Sequence, residues 1–361
     1  MLDRTLAPLG WDNSWTAALA ALTDTEEHLP ARVCRADREA CDLFIATPDG
    51  LGTATAGWSG ALQRAYRADP TSAPVTGDWV VITEPAPGAL LVEAVLPRRS
   101  AVVRAQVDGS SHGQALAANA DIAAVVEGLS PDPDPGRIER LLALAWSSGA
   151  RPVVVLTKAD LVEDPDAMAD DVARLAPGAE VVTTSVTDGS GLPELRAWLA
   201  DGSTIALLGA SGVGKSTLLN ALVGGDLMRT RALRADGKGR HTTVTRELHL
   251  VPGGGVILDT PGMRTIGLAG ADALDDVFPE VEDLAAHCRF ADCEHRTEPG
   301  CAVLAAVESG DLPQRRLDSY RRLVREARHQ AARSDARLRA EMTQVWKART
   351  RAYRRRPDKK R

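Results

Sequence analysis

The stretch Gly209-Ala210-Ser211-Gly212-Val213-Gly214-Lys215-Ser216 has the residue types and spacing of a loop that wraps phosphate oxygens. It follows an apolar run, TIALL, and opens into a helical pattern, TLLNALVG. Glycines let the backbone approach an anion closely, and the amides from Ser211 to Thr217 converge on it where the helix dipole favours negative charge. Lys215 reaches the β- and γ-phosphates, and the Ser216 hydroxyl is a magnesium ligand. A second apolar run, GGVIL, ends in Asp259-Thr260-Pro261-Gly262. An aspartate there holds magnesium through water, and the Gly262 amide meets the γ-phosphate. A third, PVVVL, ends in Thr157-Lys158-Ala159-Asp160. The Asp160 carboxylate accepts two hydrogen bonds from the N1–H and amino group of guanine, which adenine cannot donate, so the wrong base leaves a polar group unpaired. Thr183-Thr184-Ser185-Val186, one strand later, reads as the partner loop, with the amides of Thr184 and Ser185 packing against the base. By themselves the four residues of TKAD also fit an ordinary turn; the phosphate loop gives them their meaning.

Between the phosphate loop and the DTPG run lies GKGRHTTVT, residues 237–245, a polar, glycine-rich stretch before the strand pattern ELHLV. It reads as a switch loop in which one threonine completes a magnesium shell when GTP is bound. His241 is the residue there that could position or polarise an attacking water, although a solvated loop histidine has the same sequence appearance. Further on, Cys288, Cys293, His295 and Cys301 lie within 14 residues. Three thiolates and an imidazole make a complete tetrahedral set for one structural zinc ion, with no position left open for catalysis at the metal. The other two cysteines, Cys34 and Cys41, read as core residues.

These groups must be held by folded elements, and the 361 residues are enough for two or three domains. Residues 1–30 read as a helical N-terminal extension, with Trp15, Leu19 and Leu22 at helical spacing. Residues 31–100 carry short Val-, Thr- and Leu-rich segments punctuated by Gly and Pro, which predicts a small β-barrel, more a generic one than an RNA platform on these residues alone. Residues 101–270 alternate apolar strands with helices, which predicts a parallel sheet covered on both faces. Residues 271–361 hold the Cys/His cluster and a long Arg-rich helical pattern. The net charge of −6 hides an asymmetry. Residues 312–361 hold 18 Lys and Arg against 5 Asp and Glu, so an acidic body carries a tail suited to phosphate contacts or, more blandly, to solvation. No apolar run is long enough for a membrane helix and the first residues lack the pattern of a signal peptide, so the expected location is the cytoplasm, with no membrane partner.

Base recognition precedes the phosphate loop here, the reverse of the ordinary order in GTPases. In that order, and in PVTGDWV, LPRRSAVVR, TKAD, GASGVGKST, GRHTT, DTPGMR and CRFADCEHRTEPGCAV, the chain resembles the ribosome small-subunit-dependent GTPase A family (RsgA/YjeQ). The resemblance implies a multidomain α/β protein: an N-terminal OB-fold β-barrel, a circularly permuted P-loop GTPase domain and a C-terminal helical zinc-binding domain. It implies GTP and GDP, magnesium and one zinc ion as ligands, and the small ribosomal subunit and its 16S rRNA as partners rather than DNA. Nothing in the sequence suggests a coiled coil or a large exposed apolar patch, so a monomer is expected. Its members look like slow GTPases, stimulated by the small subunit late in its maturation, that leave on hydrolysis. His241 then matches the family's proposed catalytic histidine and Thr243 its switch threonine, a magnesium ligand. Many members carry Asn where this chain has Thr157, which replaces a carboxamide by a hydroxyl and leaves Asp160 as the main selector. Large-subunit assembly, an RNA-binding scaffold that uses GTP only as a conformational ligand, and a metabolic kinase are the rival readings; the last has no need of TKAD.

Overall fold

The computed structural model describes residues 2–23, 25, 27–104, 114–224, 246–260 and 273–334. Two short helices begin the chain, α1 (Leu2–Leu6) and α2 (Asn13–Leu22). The side chain of Asp12 caps α2 by accepting the amides of Ser14 and Trp15. Leu6, Leu9, Trp11 and Trp15 are buried. They pack with Trp79 in the main core, so these residues are part of the fold's interior and not a loose appendage.

Strands β1 (Leu29–Asp37), β2 (Ala40–Thr47) and β3 (Gly50–Trp58) form an antiparallel meander, followed by helix α3 (Gly60–Ala68) and strands β4 (Trp79–Ala86) and β5 (Ala89–Val95). They close in the order β1-β2-β3-β5-β4, a five-stranded barrel of the OB type with its helix between β3 and β4. The period-two alternation of β4 ties the barrel to the rest of the protein. Val80 and Ile82 fill the barrel, while Trp79 and Val81 point into the main core. Cys41 lies inside the barrel and Cys34 is half-buried beside it. Arg32, on β1, is fully buried at the same junction. Its guanidinium donates to the carbonyls of Leu9 and Asn119 and to the Thr204 hydroxyl (3.0 Å to Asn119, 2.8 Å to Thr204) and stacks over Trp79. Burial pulls its pKa down to about 10, against the opposing pull of Asp121 and Asp78.

A hairpin, β6 (Ala101–Arg104) with β7 (Gln114–Ala118), leads into the nucleotide-type domain. Its elements are β8 (Ile122–Gly128), α4 (Pro135–Ser147), β9 (Arg151–Thr157), α5 (Pro165–Ala173), β10 (Glu180–Thr183), α6 (Leu192–Trp198), β11 (Thr204–Leu208), α7 (Lys215–Val223), β12 (Glu247–Leu250) and β13 (Val256–Asp259). The sheet order is β10-β9-β8-β11-β13-β12. The chain therefore starts in the middle, builds out to one edge, returns to the other side of β8 and builds out again. This is the permuted arrangement. The sheet departs from the all-parallel expectation at β12, which runs antiparallel to β13 because only a tight turn through Gly253, Gly254 and Gly255 joins them. One face packs on α6 and α7, through Val126, Ile205 and Leu218. The other packs on α4 and the C-terminal helices, through Val125, Leu142 and Phe278.

The C-terminal region consists of helices Leu274–Val277, Pro279–Ala285, Ala302–Ser309 and Gln314–Ser334. It is joined to α4 by ions as well as apolar contacts. Glu139, on α4, is fully buried and accepts from Arg315 (3.0 Å), Arg316 (2.8 Å) and Ser319. Arg316 also pairs with Glu280 and lies over the Phe278 ring. Arg321 donates to the His295 carbonyl and Arg328 pairs with Glu294. Much of the arginine in the described part of the basic segment thus serves internal pairing. Glu139→Gln removes the carboxylate that Arg315 and Arg316 share and leaves the buried Arg316 with Glu280 alone as counter-charge, and the expected loss is roughly 3 kcal/mol of stability, read as a fall in the denaturant midpoint with unchanged slope.

Candidate functional site

The carboxyl ends of β9, β10, β11 and β13 all open on one edge of the sheet, where the chain's direction of travel reverses between β8 and β11. In open α/β sheets this crevice is where ligands sit. The four motifs of the sequence converge there because parallel strands deliver every following loop to the same end.

The phosphate loop runs from the end of β11 to the start of α7 with Gly212 and Gly214 at positive φ, the latter as the N-cap of α7. Two close approaches demand glycine. A Cβ on Gly209 would lie 2.5 Å from the Val126 carbonyl oxygen, and one on Gly214 would lie 2.9 Å from the Thr157 hydroxyl. Ser211, Gly212 and Thr217 are exposed at the mouth; Ala210, Gly214 and Ser216 are half-buried and Gly209, Val213 and Lys215 buried. The Lys215 ammonium folds back on the loop and donates to the carbonyls of Gly209 (2.9 Å) and Ala210 (2.6 Å). Burial lowers its pKa, and the nearby carboxylates of Asp259 and Glu127 act in the opposite sense. Asp259 is buried at the end of β13, opposite Leu207 of β11, and the hydroxyl of Thr260 donates to the Leu207 carbonyl. Ser216 on α7 and Asp259 thus flank the lysine from two elements, an oxygen donor set of the kind magnesium takes.

At the end of β9 the base motif divides its work. The buried Thr157 hydroxyl donates to the carbonyl of Val213 in the phosphate loop, with the Glu127 carbonyl at 3.3 Å as a weaker acceptor. In this structure Thr157 ties the base loop to the phosphate loop. Lys158 takes a left-handed backbone conformation (φ 63°), lies along Gly128 and donates to the Ser130 carbonyl at 2.9 Å. Asp160 is exposed, and each of its oxygens accepts one hydroxyl: Ser185 at 2.8 Å and Thr187 at 3.0 Å. These bonds hold its pKa below the ordinary carboxylate value, Ser185 first and Thr187 second. Thr184 is buried, its amide on the Leu156 carbonyl at 2.7 Å and its carbonyl accepting from the Ala159 amide at 3.1 Å. The loop after β10 therefore orients the carboxylate, a role the sequence did not assign to Ser185 and Thr187. His241, Thr243 and Gly262 lie outside the described residues.

Sequence reasoning also missed Glu127. It is a fully buried acid at the end of β8, between Val126, which touches Gly209, and Gly128, which touches Lys158. Arg137 of α4 clamps it with two bonds, Nε to Oε2 at 2.9 Å and Nη2 to Oε1. An acid inside the apolar run AAVVEGL was the available signal.

The Cys/His cluster is separate. The ligand atoms of Cys288, Cys293, His295 and Cys301 all lie within 4.8 Å of one another. The Cys288 and Cys301 sulphurs are 3.8 Å apart, and His295 Nδ1 is 3.6 Å and 3.4 Å from them. A tetrahedron with bonds of about 2.3 Å to sulphur and about 2.0 Å to nitrogen has edges of about 3.8 Å and about 3.5 Å, so the three edges among Cys288, Cys301 and His295 match a zinc site, with Cys293 inside the same 4.8 Å group. The Cys301 sulphur also caps the Ala302–Ser309 helix by accepting the Leu304 amide.

Comparison with known proteins adds the following. The family model described as RsgA GTPase matches residues 95–269. The small ribosomal subunit biogenesis GTPase RsgA of Streptomyces avermitilis is 51% identical over 347 residues, covering 95% of this chain and 91% of that protein. Its namesake from Methanosarcina acetivorans is 39% identical, covering 90% and 86%. Among solved structures, YjeQ from Thermotoga maritima matches with a TM-score of 0.60 at 26% identity, over 83% of this chain and 98% of that one. YloQ, a circularly permuted GTPase, matches in fold with a TM-score of 0.58 at 23% identity, over 85% and 98%.

Proposed function

The chain belongs to the RsgA GTPase family, and on that premise we propose that it hydrolyses GTP to GDP and phosphate in the biogenesis of the small ribosomal subunit. The observation that carries the nucleotide reading is the meeting of the phosphate loop with an Asp160 whose two oxygens are oriented by Ser185 and Thr187. The amides of residues 211–217 cradle the phosphates, Lys215 turns from its two carbonyls to the β- and γ-oxygens, and Asp160 selects guanine. Thr157 holds the two loops in register. Ser216 and Asp259 would hold magnesium, with Thr243 joining them in the GTP state; when bound, the ion supplies charge neutralisation at the phosphates. His241 orients the attacking water and Gly262 senses the γ-phosphate, as the family likeness implies.

Cys288, Cys293, His295 and Cys301 would hold one structural zinc ion. The relatives named for small-subunit biogenesis support the small subunit as the partner; the finer reading, contact with its 16S rRNA and not DNA by a monomer in the cytoplasm, is part of the proposal. The proposed domain division is 1–30, 31–100, 101–270 and 271–361, supported by the barrel, the permuted sheet and the cysteine-bearing helices.

The test is GTP and ATP turnover by the full chain, alone and with isolated small or large subunits. Turnover of GTP but not ATP, raised at least about tenfold by small subunits alone, is the expected result. Stimulation by large subunits instead would overturn the partner, and equal use of ATP would overturn the role of Asp160.

A further inference from the structure

Glu127 has no role in the chemistry above, yet it is the one buried acid of β8 and it sits at the strand end that touches both nucleotide loops. Val126, beside it, places its carbonyl against Gly209, and a Cβ built on Gly209 would also meet the Lys215 side chain at 3.4 Å. The strand's alternation sends Val126 to the α7 face and Glu127 to the α4 face. There both carboxylate oxygens are taken by Arg137, whose side chain is about one-third exposed while that of Glu127 is 2% exposed. The site therefore contains a fixed negative charge under a loop that must receive a polyanion, together with the cation that cancels it.

We propose that the Glu127–Arg137 pair trims the electrostatic field of the phosphate site, with Arg137 acting as a positioning residue that neutralises Glu127 so that the loop and Lys215 present net positive charge to a nucleoside triphosphate. This rests on the GTP-binding reading. The consequence has a definite sign for each partner. Without Arg137, the Glu127 charge faces the phosphates uncompensated in a region poor in solvent, where unit charges act over several ångströms. Without the Glu127 charge, Arg137 adds to the attraction. A pair that only stabilised the fold would make both substitutions harmful in the same direction.

The pair is also set by the C-terminal region. Arg137 lies two residues before Glu139 and three before Arg140, and these anchor α4 to the Gln314–Ser334 helix through Arg315, Arg316 and Glu326. A shift of that helix on α4 would move the Arg137 guanidinium relative to Glu127 and so change the field at the phosphates.

The experiment uses the full chain with magnesium and fluorescent methylanthraniloyl GTP and GDP, and reads dissociation constants by titration alongside thermal melts. Arg137→Ala is expected to weaken GTP-analogue binding about tenfold, with a smaller loss for the GDP analogue, which carries one charge fewer. Glu127→Gln is expected to bind both as tightly as the parent or more tightly. The double variant should return to within about threefold of the parent, because charge balance is restored without the ion pair. Arg137→Ala binding with parental affinity, or both single variants weakening together, would overturn the proposal while leaving the nucleotide reading intact. A parent chain that binds no guanine nucleotide would overturn both.

Discussion

Lys215→Ala is expected to cost about a thousandfold in GTP turnover while leaving the fold as stable as before, or slightly more stable. The two halves of this expectation have different causes. In turnover, the role proposed for the ammonium is that of the point charge meeting the negative charge that develops on the transferred phosphoryl group; losing such a group costs about 4 kcal/mol of transition-state stabilisation. In stability, the same ammonium is a burden. It is buried, its pKa is lowered by desolvation, and its partners are two carbonyl oxygens that it borrows from the loop. Removing a desolvated charge of this kind is neutral or favourable. Steady-state turnover with and without small subunits, beside a thermal melt, checks both halves. Turnover retained within threefold would refute the role given to Lys215. A large fall in melting temperature would show that the lysine holds the loop together instead of waiting for phosphate.

Removal of the metal from the cysteine cluster should have the opposite profile. The chain is expected to carry one equivalent of zinc after purification, and a strong chelator or Cys301→Ser is expected to unfold the segment around the Ala302–Ser309 helix. Zinc sites of this type contribute about 10 kcal/mol or more to folding. Cys301 is the most exacting position, because its sulphur is both a proposed ligand and the N-cap of that helix. Serine keeps the cap but is a poor zinc ligand, so the substitution separates the two roles. Elemental analysis and far-UV circular dichroism before and after chelation are the measurements. A chain that holds no zinc, and whose helicity does not change with chelator, would refute the assignment.

The nucleotide site was legible in the sequence to an unusual degree because its residues answer to an external object. The spacing of Gly209, Gly214 and Lys215 is fixed by the shape of a phosphate group, and that constraint survives any change in the scaffold. The tetrahedral cluster was legible for the same reason. What escaped were groups that answer only to one another. Arg32 drew no assignment in the barrel segment, but it is sealed between the N-terminal segment, the barrel and the start of β11. Glu127 and Glu139 drew no assignment because their counter-charges come from other elements, one of them far along the chain. Thr157 was assigned to the base motif, and the bond its hydroxyl makes to the phosphate loop was not foreseen. The antiparallel β12 was hidden because a four-residue strand has no direction until its turn is known.

The permuted sheet also fixes a timetable for the growing chain. Synthesis delivers β8, β9 and β10 first, and these three can pair at once. The inner edge of β8 then stays open, an apolar strand with unsatisfied amides, until β11 has been made and can close it. The base-recognition loops are complete during that interval, but no phosphate loop yet exists. Guanine nucleotide can therefore act as a folding ligand only for chains that have reached β13, and until then the barrel and the half-sheet must keep that edge from other strands by themselves.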